Sequence, residues 1–327
     1  MMKAVVIHEP GAPSVLKLEQ RPIPRPNPGE VLIRVKAFGL NRSEMFTRQG
    51  HSPGVKFPRI LGIEAVGIVE KAPGNENAIP TGATAVTCMG GMGRMFDGGY
   101  AEYTCVPAKQ VEVLKTKLPW KVLGALPEML QTAWGSLYTA LNLQKGERLL
   151  VRGGTSSVGF AAVGIAKQQG AIVASTSRKK EREGVVREYG ADEFYVDDGA
   201  IAKQLEGQED KKFDKVLELV GTVTLADSLA ATKKGGTVCV TGIVGNSWSM
   251  EKFSPMEIIP KATKLTVYGG SEEDLKTMPF GELAEQVEIG KLKVKIGKVF
   301  KMDEIVEAHR CMDENTAEGK IVVLTGA

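Results

Sequence analysis

Hydrophobic positions change their rhythm once along this chain, near residue 118. Before that point they form short runs broken by Gly and Pro: "KAVVIH", "EVLIRVKAFGL", "EAVGIVEKA", "ATAVTC" and "YAEYTCVP". Short runs with such punctuation predict strands and turns, and the prolines in "RPIPRPNPGE" forbid a continuous helix. After it, "KVLGALPEMLQTAWGSLYTALNL" has helical periodicity, with a Pro that predicts two helices. Apolar runs then alternate with helical stretches: "RLLVRG", "SSVGFAAVGIAKQQG", "AIVAST", "KKEREGVVREYG", "EFYVD", "IAKQLEG", "KVLELV", "TLADSLAATKKGG" and "TVCVTG". That alternation predicts a doubly wound parallel sheet, whose strands are buried on both faces and therefore read as nearly unbroken apolar runs. A strand "KLTVYGG", a helix "PFGELAEQVEIG" and a strand "KIVVLTG" follow.

Length and composition narrow the class. A chain of 327 residues exceeds one ordinary core and predicts two domains. With 43% hydrophobic and 25% charged residues it reads as a globular protein, and no run reaches membrane-span length, so no membrane partner is expected. A net charge of +3, with bases interleaved among acids, argues against nucleic acid as a partner. Cys88, Cys105, Cys239 and Cys311 are widely spaced in apolar surroundings and read as buried free thiols, which points to a reducing, cytoplasmic location. "MMKAVVIHEPG" is too short an apolar segment for a secretory signal.

The chemistry begins at "RGGTSSVG", a glycine turn between a strand and a helix. Gly154 is expected to take the tight backbone angles and Gly159 to let the helix approach the sheet, with Ser156 in place of the middle glycine. Backbone N–H groups of Thr155, Ser156, Ser157 and Val158 would face a pyrophosphate, aided by the helix dipole. About 20 residues on, an acid would favour NAD by binding the ribose hydroxyls. Here Ser177 stands in that place, followed by Arg178, Lys179 and Lys180. Hydroxyl and guanidinium donors suit a 2′-phosphate, so NADPH is the expected cofactor. Val220–Gly221 and Gly242–Ile243 close two later strands, where ligands of open α/β sheets lie.

Taken together, "FGLNRSEMFTRQG", "PRILGIEAVGIVE", "GGYAEY", "RGGTSSVG", "GTVCVTG" and "EGKIVVLTG" resemble the medium-chain dehydrogenase/reductase superfamily, in particular its zinc-free quinone oxidoreductase-like branch. The resemblance implies an α/β protein: a doubly wound parallel Rossmann sheet at residues 119–267, plus a GroES-like β-barrel catalytic domain from residues 1–118 and 268–327. It implies an active site in an interdomain cleft. Where zinc-dependent relatives carry metal ligands, this chain has Asn41, Ile63 and the Glu128–Met129 neighbourhood, and no C-x-x-C motif occurs. No metal is expected there. Glu64, the acidic neighbour of a lost ligand, reads as a buried partner for a basic group.

Without zinc, hydrogen-bond donors must accept the charge that develops on hydride transfer. Asn41 and Ser43 are the catalytic candidates: Asn41 as an amide donor, and Ser43 at the family's proton-relay position. Both also fit a helix cap. By the same resemblance Arg42 contacts cofactor phosphate and Thr132 packs beside the nicotinamide. His51 is a second proton-donor candidate at the cleft mouth, while His8 and His309 lack suitable partners and read as structural. Tyr100 reads as core. The expected activity is NADPH-dependent reduction of a quinone, enone or related α,β-unsaturated carbonyl, whose charge spreads over a conjugated system. An alcohol or aldehyde dehydrogenase, and a non-catalytic NADPH-binding sensor or structural protein, are the competing readings. The family also implies a homodimer joined at a sheet edge such as "KLTVYGG".

Overall fold

The apolar runs between residues 148 and 267 pair with one another and not with the strands before them. The computed structural model describes all residues, Met1–Ala327. Six strands form one sheet in the order Glu193–Val196, Ile172–Ser177, Arg148–Arg152, Phe213–Glu218, Thr232–Val240, Lys264–Val267. Every neighbouring pair is parallel. The first strand in sequence is central, so the order reverses beside Arg148–Arg152, and ligands of such sheets lie beyond the carboxyl ends there. Leu149, Leu150, Val151, Val216 and Leu217 are fully buried, as strands covered on both faces require. Helices Ser157–Gln168 and Thr222–Ala230 supply part of that cover. The stretch after Ser177 is less helical than expected: it opens with a 3-10 turn, and its α-helix spans only Glu183–Glu188.

This sheet lies in one compact unit, Thr132–Gly269; the other comprises Met1–Gln131 and Gly270–Ala327. Within the discontinuous unit, a seven-stranded sheet is built around Glu30–Leu40, which pairs with Glu64–Lys71, Tyr103–Pro107 and the final strand Lys320–Leu324. A three-stranded sheet joins Lys17–Arg21, Met2–Ile7 and Arg59–Ile60. Their inward residues, among them Val5, Val31, Ile33, Phe38, Tyr100 and Val323, share one core. The helical turn Trp120–Leu123 belongs with these strands: a β-carbon on the next residue, Gly124, would lie 2.7 Å from Ala37.

Tyr100 is fully buried, stacks on Phe38 at 4.6 Å and meets His309 Nε2 at 3.1 Å. His309 therefore has a partner, unlike the expectation, and burial holds its imidazole down to about 3. His8 also has one, Glu19, at 2.6 Å. Cys88, Cys239 and Cys311 are buried free thiols, whereas Cys105 is only half-buried, with its thiol pushed up to about 12 by burial and the nearby Glu30.

Candidate active site

Two groups of side chains stand out, one in each unit. In the parallel-sheet unit the glycine turn follows strand Arg148–Arg152 and leads into helix Ser157–Gln168. Gly153, not Gly154, takes the left-handed conformation, at φ +83°. Gly154 is needed for a different reason: a β-carbon there would lie 1.8 Å from Ser175 Oγ on the adjacent strand. At Gly159 a β-carbon would come 2.7 Å from the Gly153 carbonyl, so this glycine lets the helix seat against the turn. Ser156 caps the helix, accepting the Gly159 N–H at 3.0 Å and donating to the Gly153 carbonyl at 2.9 Å. The first-turn N–H groups of Ser157 and Val158 have no preceding helical carbonyl, which leaves them for an anion.

Ser177 ends the second strand, nearly buried, with Arg178 exposed beside it. Arg182, which the sequence reading passed over, donates to Thr155 Oγ1 at 3.3 Å and so ties a guanidinium to the glycine turn. One carboxylate does lie close, Asp197, which accepts from Thr176 at 3.3 Å. It is held by the buried Arg152 in a two-point pair at 2.9 and 2.7 Å. Burial opposes the Asp197 charge, but Arg152 outweighs it and holds the carboxyl below its ordinary range. The acid nearest the strand end is thus neutralised from within.

Val220–Gly221 and Gly242–Ile243 come together, as expected: a β-carbon on Gly221 would lie 3.1 Å from the Gly242 carbonyl. The backbone of Val220 is engaged, however. Its N–H donates to Glu218 at 2.7 Å, and its carbonyl accepts from Gly245 at 2.8 Å. Thr132 is nearly buried in helix Pro127–Trp134, and its carbonyl accepts from Ser136 Oγ at 2.6 Å. Ser136 continues to Thr241 Oγ1 at 2.8 Å, next to Gly242.

In the discontinuous unit, Asn41 precedes helix Arg42–Arg48, and the Glu44 carboxylate accepts its N–H at 3.1 Å. Asn41 occupies the N-cap position, with the bond supplied by the Glu44 side chain, while Ser43, the other residue expected to cap, lies inside the helix. The Asn41 side chain differs from the donor expectation. Nδ2 donates to Glu64 at 2.9 Å and to Glu44 at 3.3 Å, and Oδ1 accepts from Lys320 Nζ. The amide is therefore engaged by protein groups. Ser43 is half-exposed, and its Oγ accepts a hydrogen bond from Arg94 Nη2, so its own proton stays available. Arg42, half-buried, opens the same helix. His51 is exposed, 6.3 Å from the Phe46 ring.

Lys320 was not singled out in the sequence, because a lysine leading an apolar strand reads as an exposed end. It is buried, with Nζ 2.8 Å from Glu64 Oε1 and 3.3 Å from Glu128 Oε2. Glu64 has the basic partner expected of it, and its other oxygen accepts the Glu128 N–H at 2.9 Å. Burial opposes the Lys320 charge, but Glu64 and Glu128 overcome it and hold the ammonium above its ordinary range. Burial lifts the Glu44 carboxyl to about 7; the Ile63 amide works against that shift and the Glu64 charge with it. These residues do not fit a catalytic zinc. Ile63 has no ligating atom, Asn41 Oδ1 and Glu64 are occupied by an ammonium, and no group of three His, Cys, Asp or Glu side chains is placed to hold a metal ion.

Comparison with known proteins agrees with both halves. Residues 27–117 match the alcohol dehydrogenase GroES-like domain, and residues 189–323 match a family described as zinc-binding dehydrogenase. A quinone oxidoreductase of Pongo abelii is 30% identical over 99% of this chain and 98% of its own length. An acryloyl-coenzyme A reductase of Sulfurisphaera tokodaii is 26% identical over 98% of this chain and 99% of its own. The crystal structure of AibC superposes with a TM-score of 0.88 at 27% identity, covering 99% of this chain and 95% of that one. The expected fold class, a Rossmann sheet with a GroES-like domain, is the one these proteins share.

Proposed function

Because the chain belongs to the zinc-free, quinone oxidoreductase-like branch of the medium-chain dehydrogenase/reductase superfamily, and is an oxidoreductase, we propose that it uses NADPH to reduce a quinone or another α,β-unsaturated carbonyl. The observation that carries the cofactor choice is the chemistry beyond strand Ile172–Ser177. A buried hydroxyl and two guanidiniums, Arg178 and Arg182, stand there, and Asp197, the carboxylate bonded to Thr176 on that strand, is paired with Arg152. A free acid in that place would repel a 2′-phosphate; guanidiniums bind one through paired, charge-assisted hydrogen bonds.

The glycine turn fits a dinucleotide: Gly153 and Gly154 leave no side chain over the turn, and the helix presents the N–H groups of Ser157 and Val158. Gly242 and Ile243 are the strand-end residues assigned to the carboxamide, with Thr132 at the ring and Arg42 on phosphate. The reduced nicotinamide supplies hydride. Ser43 then has one task, donating a hydrogen bond to the substrate oxygen that gains charge. Asn41 serves by position, linking Glu64, Glu44 and Lys320 at the start of the helix that carries Ser43. The names of the relatives, a quinone oxidoreductase and an acryloyl-coenzyme A reductase, support conjugated acceptors over simple alcohols.

The test is initial rates with NADPH and NADH against a panel of quinones and enones. NADPH is expected to win clearly, and Arg178→Ala together with Arg182→Ala to raise its KM about 10-fold or more while leaving the KM for NADH nearly still. A wild-type preference for NADH rules the assignment out. A homodimer through the free edge of Lys264–Val267 belongs to the same reading. So does a reducing, cytoplasmic setting, which four unpaired cysteines suit.

A further inference from the structure

The glycine-rich loop Met89–Gly99 is absent from the roles assigned so far, although it brings a cation to Ser43. It is held by its backbone and by buried anchors. Met92 is fully buried, its N–H donates to the Met89 carbonyl at 3.1 Å, and the N–H groups of Arg94 and Met95 donate to the Gly91 carbonyl at 3.1 and 2.7 Å. Gly93 and Gly98 lie flat on Gly62: β-carbons there would fall 2.8 and 2.2 Å from its backbone. None of this uses the Arg94 side chain, which is exposed and makes its hydrogen bond to Ser43 Oγ. The loop's one acid, Asp97, is turned to Arg59 at 2.9 Å and to the Ile60 N–H at 3.1 Å. Arg94 has no carboxylate partner.

We infer that Arg94 is a positioning residue for Ser43, and that the two form an oxyanion site on this unit. The inference rests on the reading of Ser43 as the donor to the reacting oxygen. A guanidinium has only donors, so Ser43 must accept from it, and the Ser43 proton can then point only away from Arg94, toward a ligand. The positive charge beside the hydroxyl makes it a stronger donor and favours negative charge on the oxygen it faces. With a reduced nicotinamide bound to supply hydride, addition at the β-carbon of a conjugated acceptor would move the C=C electron pair to its carbonyl oxygen. Ser43, oriented and polarised by Arg94, would hold that oxygen until water protonates the product. A guanidinium and a hydroxyl would so take the part that a metal takes in zinc-dependent members.

The test compares Arg94→Ala, Arg94→Lys, Ser43→Ala and the Arg94→Ala/Ser43→Ala double variant by kcat, on a readily reduced quinone and on a less activated enone. Binding of 4-nitrophenolate, a stable oxyanion, to the full chain is followed by its absorbance, with and without NADP+. Arg94→Ala is expected to lower kcat on the enone about 10- to 100-fold, and less on the quinone. The double variant should be little worse than Ser43→Ala, Arg94→Lys should recover part of the loss, and 4-nitrophenolate should bind about 10-fold more weakly without Arg94. Unchanged turnover and phenolate binding in Arg94→Ala overturn the inference while leaving the reductase reading intact. Additive losses in the double variant overturn it too. If no quinone or enone is reduced but phenolate binding still depends on Arg94, the reductase reading falls and the oxyanion site stands.

Discussion

Lys320 is a fully buried cation on which two carboxylates converge. Its ammonium is buried with Glu64 at 2.8 Å and Glu128 at 3.3 Å, and it also binds Asn41. Lys320→Met leaves those carboxylates without a cation, and is expected to reduce the unfolding free energy by about 3–5 kcal/mol, read by urea denaturation. Adding Glu64→Gln should return part of the loss. Glu44 and His309 make opposite pH dependences. Glu44 is raised from 4.5 to about 7, so it stabilises the fold below pH 4.5, and that contribution is lost as pH rises to about 7. His309 is lowered from 6.5 to about 3, so its contribution is present above pH 6.5 and is lost as pH falls toward 3. Between pH 4.5 and 6.5 the two trends oppose each other. Glu44→Gln, which keeps one carbonyl oxygen and so an acceptor for only one of the Asn41 and Ile63 N–H groups, should still uncover the His309 slope of up to ~1.4 kcal/mol per pH unit. Identical pH–stability curves for the variant and the parent count against the buried acid. Little of this was legible in the chain. Glu64 could be read as the partner of a base, but the base lies 256 residues later, and only strand pairing of Lys320–Leu324 with Glu30–Leu40 brings it back.

The glycine turn is the element in which the expectation was nearest and its reason shifted. A strand, glycines and a helix in sequence announce the turn. The division of labour between Gly153 and Gly154 depends on Ser175, on the next strand, which no local pattern reveals. Ser175 Oγ is buried without a hydrogen-bond partner, and it occupies the space a β-carbon on Gly154 would need. Gly154→Ala should therefore destabilise by about 1–3 kcal/mol and weaken cofactor binding, and Ser175→Ala in the same chain should restore much of both. Ser175→Ala alone should be neutral or slightly stabilising, since it removes an unsatisfied hydroxyl. Thermal unfolding of the three variants decides it; no rescue in the pair means the clash is not the cause. The central parallel strands were readable because burial on both faces makes them nearly unbroken apolar runs; the edge strands Glu193–Val196 and Lys264–Val267 are only partly buried. Lys17–Arg21 and Val111–Leu114, short and partly exposed, carry no such signal.

For the molecule as a whole, the free edge of Lys264–Val267 bears Val267, 72% exposed, and the residues before it include Met256 at 93% and Trp248 at 55%. An apolar open edge invites pairing with a second copy. Val267→Lys should convert a dimer into monomers in sedimentation, with the far-ultraviolet spectrum unchanged; a parent chain that sediments as a monomer removes the premise.

The interrupted unit, residues 1–131 resumed at 270, also sets an order of events on the ribosome. The stretch Thr132–Gly269 is continuous and can fold as soon as it leaves the exit tunnel. The first 131 residues cannot finish. Arg48 waits for Asp313, Tyr100 for His309, and Glu64 for Lys320, all translated after the continuous stretch. A nascent chain stalled at residue 300 should therefore resist protease from 132 to 269 and remain open to it before 131.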